Sequence, residues 1–317
     1  MTALEIVRAA LTAHIAATLP TEPAALLQGL LLGGGSGLSM ETWQAFQRAG
    51  LLHVIAVSGT NVALVISAID RLLFWLPRRW RLAPAIALIA LYTLLTGASA
   101  SAVRAGIMGA LSLLALHMSR PVDRRRLIAL AFLIMMIVRP AWIFDAGFQL
   151  SFLAVMGIAE IGSLIEPNLR CLPKTLAVRE AVLMTLCAQL SAAPWGSYLF
   201  GGYALIAPVA NVLIAPIIPL AMLLGSIGVA ASMVSPLLGG IVLLPASATL
   251  QWMIDVAHTL GSIPLASIPA HPPLWLIILY YCVLIACVRR LAPQSSKRDV
   301  GPMHTPAPSS RGIRLEF

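Results

Sequence analysis

Charged residues are scarce in this chain of 317 residues. Asp, Glu, Lys and Arg make up 10% of it, whereas a soluble domain carries about 25%. Apolar residues supply 59% of the sequence and give a mean hydropathy of +0.91, in long runs spread over most of its length. These runs lack the strict alternation that is typical of outer-membrane strands. The composition therefore predicts an all-α, polytopic integral membrane protein.

The sequence also lacks the motifs of redox, metal and nucleotide chemistry. Its four cysteines form no CxxC pair, and its six histidines form no metal-binding cluster such as HxHxDH. The glycine-rich turn at residues 33–37 is not followed by the Lys and Ser/Thr of a P-loop. We therefore expect no metal, no cofactor and no ATP site, so that any driving force comes from a partner or an ion gradient.

Nine apolar segments are predicted to cross a bilayer, although the fourth is short. The seventh contains three prolines, each of which removes a helix hydrogen bond, so we expect a discontinuous helix there. The segments are Leu51–Leu76, Leu82–Thr96, Val103–Met118, Leu127–Val138, Gly147–Ile165, Leu176–Phe200, Tyr203–Met233, Leu237–Leu260 and Pro273–Val288. We expect extracytoplasmic or interfacial helices over residues 1–50, a membrane domain over residues 51–290 and a disordered cytoplasmic tail over residues 291–317.

Lysine and arginine concentrate in alternate connections between these segments. Clusters lie at residues 78–81, 120–126 and 170–179, and in the tail from Arg289 onward. By the positive-inside rule, this asymmetry predicts a cytoplasmic C-terminus and an N-terminus outside a bacterial cytoplasmic membrane. The net charge of +9 follows from the same rule, and attraction of a nucleic acid is the alternative explanation.

The stretch Gly50–Asn61, GLLHVIAVSGTN, places several polar side chains inside the first apolar segment. Polar groups at membrane depth are costly unless they face protein, water or a substrate path. On one continuous helix, His53, Thr60 and Asn61 would lie within about a quarter-turn of one another. The dipeptide Ser58-Gly59 marks a point at which that helix is expected to loosen or break.

Arg104 lies in the small-residue stretch TGASASAVRAGIM, residues 96–108. Small side chains allow neighbouring helices to approach closely. The arginine is either a snorkelling interface residue or a fixed cation that faces a path for phosphates, whose oxygens its planar fork binds well. The sequence leaves both interpretations open.

Aromatic and amide side chains share one stripe in RPAWIFDAGFQLSF, residues 139–152. Asp145 is expected to cap the helix that begins there. Phe148, Gln149 and Phe152 then lie on one face, where they either pack the helix or offer stacking surfaces and hydrogen bonds to passing bases.

These stretches resemble the ComEC competence family, the membrane part of the DNA-uptake channel of transformable bacteria. GLLHVIAVSGTNVALV resembles the family pattern GLSHLLAISGLHVGLV, with Asn61 in place of the second histidine. Because asparagine cannot titrate, a proton-linked role of that position is in doubt. TGASASAVRAGIM resembles TGFSPSVVRAALM, and DAGFQLSFLAVMG resembles DPGFQLSFLAVLG. A fourth stretch, AQLSAAPWGSYLFGGYALIAPVAN, has Gln189, Pro194 and Asn211 at the family's recurrent positions.

The resemblance covers about residues 25–235 and implies a membrane channel for the uptake of single-stranded DNA during natural transformation. The partners that it implies are single-stranded DNA, the lipid bilayer, a DNA receptor and a cytoplasmic motor. Its motifs, together with the polar residues noted above, predict a substrate path lined by His53, Ser58, Gly59, Thr60, Asn61, Arg104, Phe148, Gln149, Phe152, Gln189 and Asn211.

Complete members of the family also carry an OB-like domain and a C-terminal metallo-β-lactamase-like domain. The sequence has no counterpart of either domain, so we expect the channel portion alone, as a stand-alone version or a truncated gene product. A separate nuclease or OB-like chain is then a further expected partner.

Three alternatives stay open beside the DNA channel. The chain could be a permease for a small anion or another solute, or a non-functional remnant of a channel domain. An intramembrane enzyme with Ser58 as nucleophile is disfavoured, because His53 is five residues away and about 140° off on a continuous helix. We therefore expect no enzymatic activity.

Overall fold

The computed structural model describes residues 3–34, 37–55, 57–172 and 178–291, and this part of the chain is almost entirely helical. Two short strands and two 3-10 helices accompany the α-helices; the strands are β1 (Gly202–Ala204) and β2 (Ser267–Pro269) and the 3-10 helices are Pro140–Phe144 and Glu166–Leu169. The α-helices are α1 (Ala3–Thr18), α2 (Thr21–Leu32), α3 (Met40–Arg48), α4 (Leu52–Ile55), α5 (Gly59–Leu72), α6 (Arg78–Leu95), α7 (Ala100–His117), α8 (Arg124–Val138), α9 (Ala146–Ile165), α10 (Val178–Ser191), α11 (Ala193–Phe200), α12 (Ala207–Ile214), α13 (Ile217–Val234), α14 (Pro236–Gly261) and α15 (Leu274–Leu291). The predicted disordered tail lies outside the described residues from residue 292 onward.

The prediction of an all-α fold is confirmed, whereas the nine predicted spans are not. Within the described residues, five segments are long and apolar enough to cross a membrane by length and composition, namely Ala100–His117, Ala146–Leu169, Ile217–Val234, Leu237–Gly261 and Leu274–Leu291. The helices of the remaining predicted spans are too short or too charged: α5 and α10 have 14 residues each, α8 has 15, and α6 opens with the basic sequence RRWR.

Polar side chains begin several helices by accepting a hydrogen bond from a backbone N–H of the first turn. Ser39, Ser58 and Ser99 cap α3, α5 and α7 in this way. Asp123 and Asp145 do the same for α8 and α9, where Asp145 Oδ1 accepts at 2.7 Å. The predicted cap at Asp145 is therefore confirmed.

Breaks in the helices fall where the sequence predicts them. The break expected at Ser58-Gly59 is present, because α4 and α5 are separate helices. The predicted discontinuous segment is present as well, since α12 and α13 meet at Pro216. Its first residues were expected to be helical and are instead strand β1, which pairs antiparallel with β2 so that Tyr203 lies opposite Ile268.

Three apolar clusters hold the helices together. The first combines α1–α4 with α12–α14, and its fully buried members include Leu26, Phe46 and Leu250. The second joins α5, α6 and α7, and the third joins α7, α8 and α9 around Met135 and Phe148. Because α7 belongs to both smaller clusters, it lies between α5 and α9.

Candidate functional site

The site is built on the broken start of α5. Ser58 Oγ donates to Asn61 Oδ1 at 3.0 Å and accepts from the Asn61 backbone N–H at 3.3 Å. Asn61 is 1% exposed, and its Nδ2 donates to the carbonyl of Leu30, in the last turn of α2, at 3.2 Å. One of the carbonyls that the end of α2 leaves unpaired is thereby satisfied. Asn61 thus fixes the start of α5 against α2.

Helix α7 lies directly against this break. Ser101 Oγ donates to the carbonyl of Val57 at 2.9 Å, just before the cap of α5. Three residues further along α7, Arg104 lies on the same face of the helix and is 5% exposed. A Cβ built on Gly59 would lie 2.8 Å from Arg104 Nη2. The guanidinium therefore touches the first residue of α5.

The groups that contact the Arg104 guanidinium are uncharged: a thioether sulfur and an aromatic ring. Nη1 lies 3.9 Å from the sulfur of Met108, and Cζ lies 5.9 Å from the ring centroid of Phe152 on α9. Nε is buried and has no hydrogen-bond partner among the described residues. A buried cation ordinarily needs an acid or several acceptors, because its removal from water is costly. This arginine has neither in the described part of the chain.

The acidic side chains of the apolar segments interact with residues other than Arg104. Asp70 lies 3.8 Å from Nη1 of Arg81. Glu160 pairs with Arg125 at 2.7 Å. The exposed Asp255 accepts from a glutamine one turn earlier on α14, at 2.8 Å. The four ion pairs of the described residues all involve arginines other than Arg104.

The predicted aromatic stripe is part of the packed interior. Phe148 and Phe152 are 3% and 6% exposed, and their ring centroids are 4.5 Å apart. Phe132 of α8 completes the cluster at 5.8 and 5.5 Å from the two rings. Phe152 thus contributes to the surroundings of Arg104, and a base would reach either ring only if the helices around them moved apart.

Gln149 lies on α9 beside that cluster but makes its hydrogen bonds away from Arg104. Its Nε2 donates to the carbonyl of Ile143 at 2.7 Å, and its Oε1 accepts from Trp195 Nε1 at 2.8 Å. Trp195 in turn stacks on Tyr198 at a centroid distance of 5.3 Å. The amide therefore positions an aromatic pair on α11 that is not among the predicted site residues.

The remaining predicted site residues do not join the group around Arg104. The grouping of His53, Thr60 and Asn61 requires one continuous helix, and the break before α5 separates His53 from the other two. His53 is exposed, and Thr60 is exposed at the start of α5. Asn211 is half-buried on α12.

A second break with unusual polar contacts lies between α10 and α11. Pro194 has no N–H for the carbonyl of Leu190, and Tyr280 of α15 donates its hydroxyl to that oxygen at 2.8 Å. Tyr281 does the same for Ser191 at 2.7 Å. Nearby in sequence, Gln189 has a buried Oε1 without a partner in the described chain. The tyrosine pair was missed, because nothing in the spacing connects it with a proline 86 or more residues earlier.

No group of three or more His, Cys, Asp and Glu side chains that could hold a metal ion occurs in the described part of the chain. The chemistry of the site is therefore that of one fixed cation, a helix start and a few amides and hydroxyls. Such an arrangement binds anions through N–H donors.

Comparison with known proteins agrees with the motifs. The model of the family described as "Competence protein" matches residues 30–294. ComE operon protein 3 of Bacillus subtilis (strain 168) is 25% identical over 281 residues, which are 87% of this chain and 35% of that protein. This chain thus spans about a third of the length of that relative. No solved structure matches it. With its long apolar helices and a family match over most of its length, the chain is a membrane protein that belongs to the competence protein family.

Proposed function

We propose that this protein conducts single-stranded DNA through the bacterial cytoplasmic membrane, and that the strand passes Arg104 and the start of α5. Membership of the competence family and the resemblance of its motifs to the ComEC channel support this assignment. No chemical step is part of the proposal, since the protein would act as a conduit and not as an enzyme.

The observation that carries the proposal is the buried guanidinium of Arg104, which has no acidic partner and an unpartnered Nε among the described residues. A single strand of DNA carries about one negative charge per nucleotide. A path for it through lipid must offer cationic or N–H donors and must keep carboxylates away. Arg104 and the first N–H groups of α5 supply the cationic and N–H donors. The carboxylates of the apolar segments are kept away from this place, because they are paired or exposed elsewhere.

The orientation of the path in the membrane is inferred from the charge of the connections. Helices α5, α7 and α9 all begin at the end of the bundle that is poor in basic residues, whereas arginines cluster at the opposite end. By the positive-inside rule, the poor end faces outward and the C-terminus lies in the cytoplasm. Arg104, one turn into α7, would then meet the strand early in its passage.

The proposal includes partners that deliver, prepare and pull the strand. A DNA receptor would deliver the strand, and a cytoplasmic motor would pull it, because the sequence has no ATP-binding motif. A separate nuclease or OB-like chain would prepare the single strand. The lipid bilayer surrounds the apolar faces of the helices.

The proposal is tested by DNA uptake in a strain that carries Arg104→Ala. We expect transformation and entry of labelled DNA into the cytoplasm to fall by about tenfold or more, because a phosphate contact is lost, while the amount of protein in the membrane stays normal. Arg139→Ala is the matched control, since Arg139 is exposed and its Cζ also lies near an aromatic ring, 5.8 Å from the Trp142 centroid. Normal transformation in the Arg104→Ala strain would contradict the proposal.

The close packing around Arg104 favours a second candidate, a permease for a small anion. The guanidinium is enclosed by Gly59, Met108 and Phe152, which leaves no room for a nucleotide unless the helices separate. Reconstituted vesicles distinguish the two candidates. Anion flux without DNA uptake by the complete machinery would favour the permease.

A further inference from the structure

The guanidinium of Arg104 lies against the positive end of a helix. Its Nη2 touches Gly59, the first residue of α5, and an α-helix carries a partial positive charge at its N-terminus. These two positive groups repel each other, and the repulsion is poorly screened on the side of the buried Arg104. Within the described residues, no acid lies in ion-pair distance of either of them. An anion between or beside them would offset this repulsion.

The contact between Arg104 and Gly59 lies beside N–H groups that make no hydrogen bond within α5. The first N–H groups of a helix have no partner within the helix, and the cap Ser58 takes up only that of Asn61. The N–H groups of Gly59 and Thr60 have no hydrogen-bond partner among the residues that the structure describes. Arg104 adds its Nε, which is buried and unpartnered among the described residues. The contact of Nη2 with Gly59 thus brings the guanidinium of Arg104 to the start of α5, where these N–H groups lie.

Two features of the sequence hold the donors in place. Gly59 has no side chain, and even a Cβ at that position would lie only 2.8 Å from Nη2, so glycine is what permits the close approach. Ser101, one turn before Arg104, holds the carbonyl of Val57 at 2.9 Å and so fixes α7 against the break. The donors are therefore part of a rigid contact between two helices.

We propose that Arg104 and the first N–H groups of α5 form a binding site for a single phosphate oxyanion. In uptake this anion would be one phosphodiester of the passing strand, a point that rests on the proposed function. The site itself would bind a free phosphate or phosphodiester in the absence of DNA. The planar guanidinium fork and the backbone N–H groups match the oxygens of such a group in charge and in geometry.

Thermal unfolding of the full chain in phosphatidylcholine nanodiscs tests this site. In a gluconate buffer free of phosphate and chloride, dimethyl phosphate and inorganic phosphate are added separately, and the melting temperature is followed by tryptophan fluorescence. We expect a saturable rise in the melting temperature with each of them, because a ligand that binds the folded state stabilises it.

Arg104→Met is the central variant. Without the buried charge it should melt at the same temperature as the wild type or higher in the anion-free buffer, and it should lose the anion-dependent rise. A purely structural arginine would give the opposite result, a lower melting temperature in every buffer. Arg139→Met, which removes an exposed arginine, should keep the full rise. An equal rise in the wild type and Arg104→Met would place the phosphate elsewhere and overturn the proposal.

Thr60→Pro tests the backbone donors separately. Proline is tolerated in the first turn of a helix and deletes one N–H, so half-saturation should require about tenfold more anion. Thr60→Ala, which keeps that N–H, should bind as the wild type does. If Thr60→Pro binds normally, the α5 start is not part of the site and the proposal is wrong.

Two further results separate this site from neighbouring explanations. Stabilisation through Arg104 in phosphatidylglycerol discs, with none from the soluble phosphates, would assign the site to a lipid headgroup and overturn a strand-binding role. Phosphate binding that requires Arg104, in a protein whose Arg104 variants still take up DNA normally, would uphold the site and refute the proposed function. Loss of DNA uptake in Arg104→Ala, without any phosphate binding by the wild type, would uphold the proposed function and refute the phosphate site.

Discussion

Two regions of this molecule bury polar groups in opposite ways. In the first apolar cluster, around α2, α13 and α14, the buried hydroxyl of Ser232 donates to the carbonyl of Val229 at 2.7 Å. In the contact of α5, α7 and α9, the buried guanidinium of Arg104 has no acid and an unpaired Nε within the described chain. In the first region even Glu22 of α2, whose Oε2 is buried without a partner in the described chain, accepts at Oε1 from the Ser39 N–H at 3.1 Å. The Arg104 guanidinium has no comparable oxygen partner among the described residues and so departs further from the rule that buried polar groups are satisfied.

The departure indicates where function lies. Natural proteins violate local rules of packing and pairing mainly at functional sites, and the surrounding structure stabilises the exception. Here the first cluster supplies that support, because Asn61 connects the start of α5 to the carbonyl of Leu30 in α2. The satisfied region thus holds the unsatisfied one in position.

The tight packing of the first region can be broken by one methyl group. A Cβ on Gly239 of α14 would lie 2.8 Å from the backbone nitrogen of Ser232 on α13, so Gly239→Ala should force these helices apart. We expect a loss of about 3 kcal/mol in the free energy of unfolding, measured by denaturation in detergent.

The adjacent Gly240 is the matched control, because a Cβ there meets nothing within 4 Å. Gly240→Ala should leave stability unchanged or raise it by about 0.5–1 kcal/mol, as expected for alanine in a helix interior. Equal effects of the two substitutions would show that α13 and α14 are not packed as described.

The link between the two regions is tested by Asn61→Leu. This change leaves the Leu30 carbonyl and the Ser58 hydroxyl without their partner, and we expect a loss of about 2 kcal/mol in the free energy of unfolding. Thr60→Ala, one residue earlier and exposed, should change stability little. A neutral Asn61→Leu would mean that α5 does not depend on α2 for its position.

Variants of Gln149 and Trp195 test whether the hydrogen bond between α9 and α11 stabilises the fold. Gln149→Leu and Trp195→Phe each remove one side of a 2.8 Å bond, and each should lower the free energy of unfolding by about 1 kcal/mol. In the double variant the two losses should not add, since they remove the same interaction. Additive losses would rule the bond out.

The exposed pair of Arg125 and Glu160 provides the contrast to Arg104. The Arg125 side chain is 75% exposed, so its 2.7 Å ion pair should be screened by water and salt. A double-mutant cycle with alanine should give a coupling free energy of about 0.5 kcal/mol that declines with added salt. A large coupling that is insensitive to salt would contradict the distinction drawn here between exposed and buried arginines.

Local features of the fold were predictable from the sequence. Asp145 precedes an apolar run and caps α9, and Pro216 interrupts a long segment and separates α12 from α13. Both follow from the chemistry of a single residue next to its neighbours in the chain. The number of spans was less predictable, because an apolar run does not reveal how much of it one straight helix uses.

The composition of the site was predicted only in part. Arg104 and Asn61 stood out because they are polar groups in apolar runs. The contacts of Ser101 with Val57 and of Gln149 with Trp195 could not be predicted, because they depend on which helices pack together. His53 was grouped with Asn61 on the assumption of one continuous helix, and the break before α5 removes that relation.

The most direct measurement is a photo-cross-link to DNA during uptake. A photoreactive benzophenone side chain at Thr60, exposed at the start of α5, is compared with one at Leu94, which is 55% exposed on α6 at the same end of the bundle. We predict that labelled strands in transit attach to position 60 and not to position 94, and that Arg104→Met abolishes the attachment. Uptake that continues with no attachment at position 60, or with equal attachment at both positions, would contradict a path along Arg104.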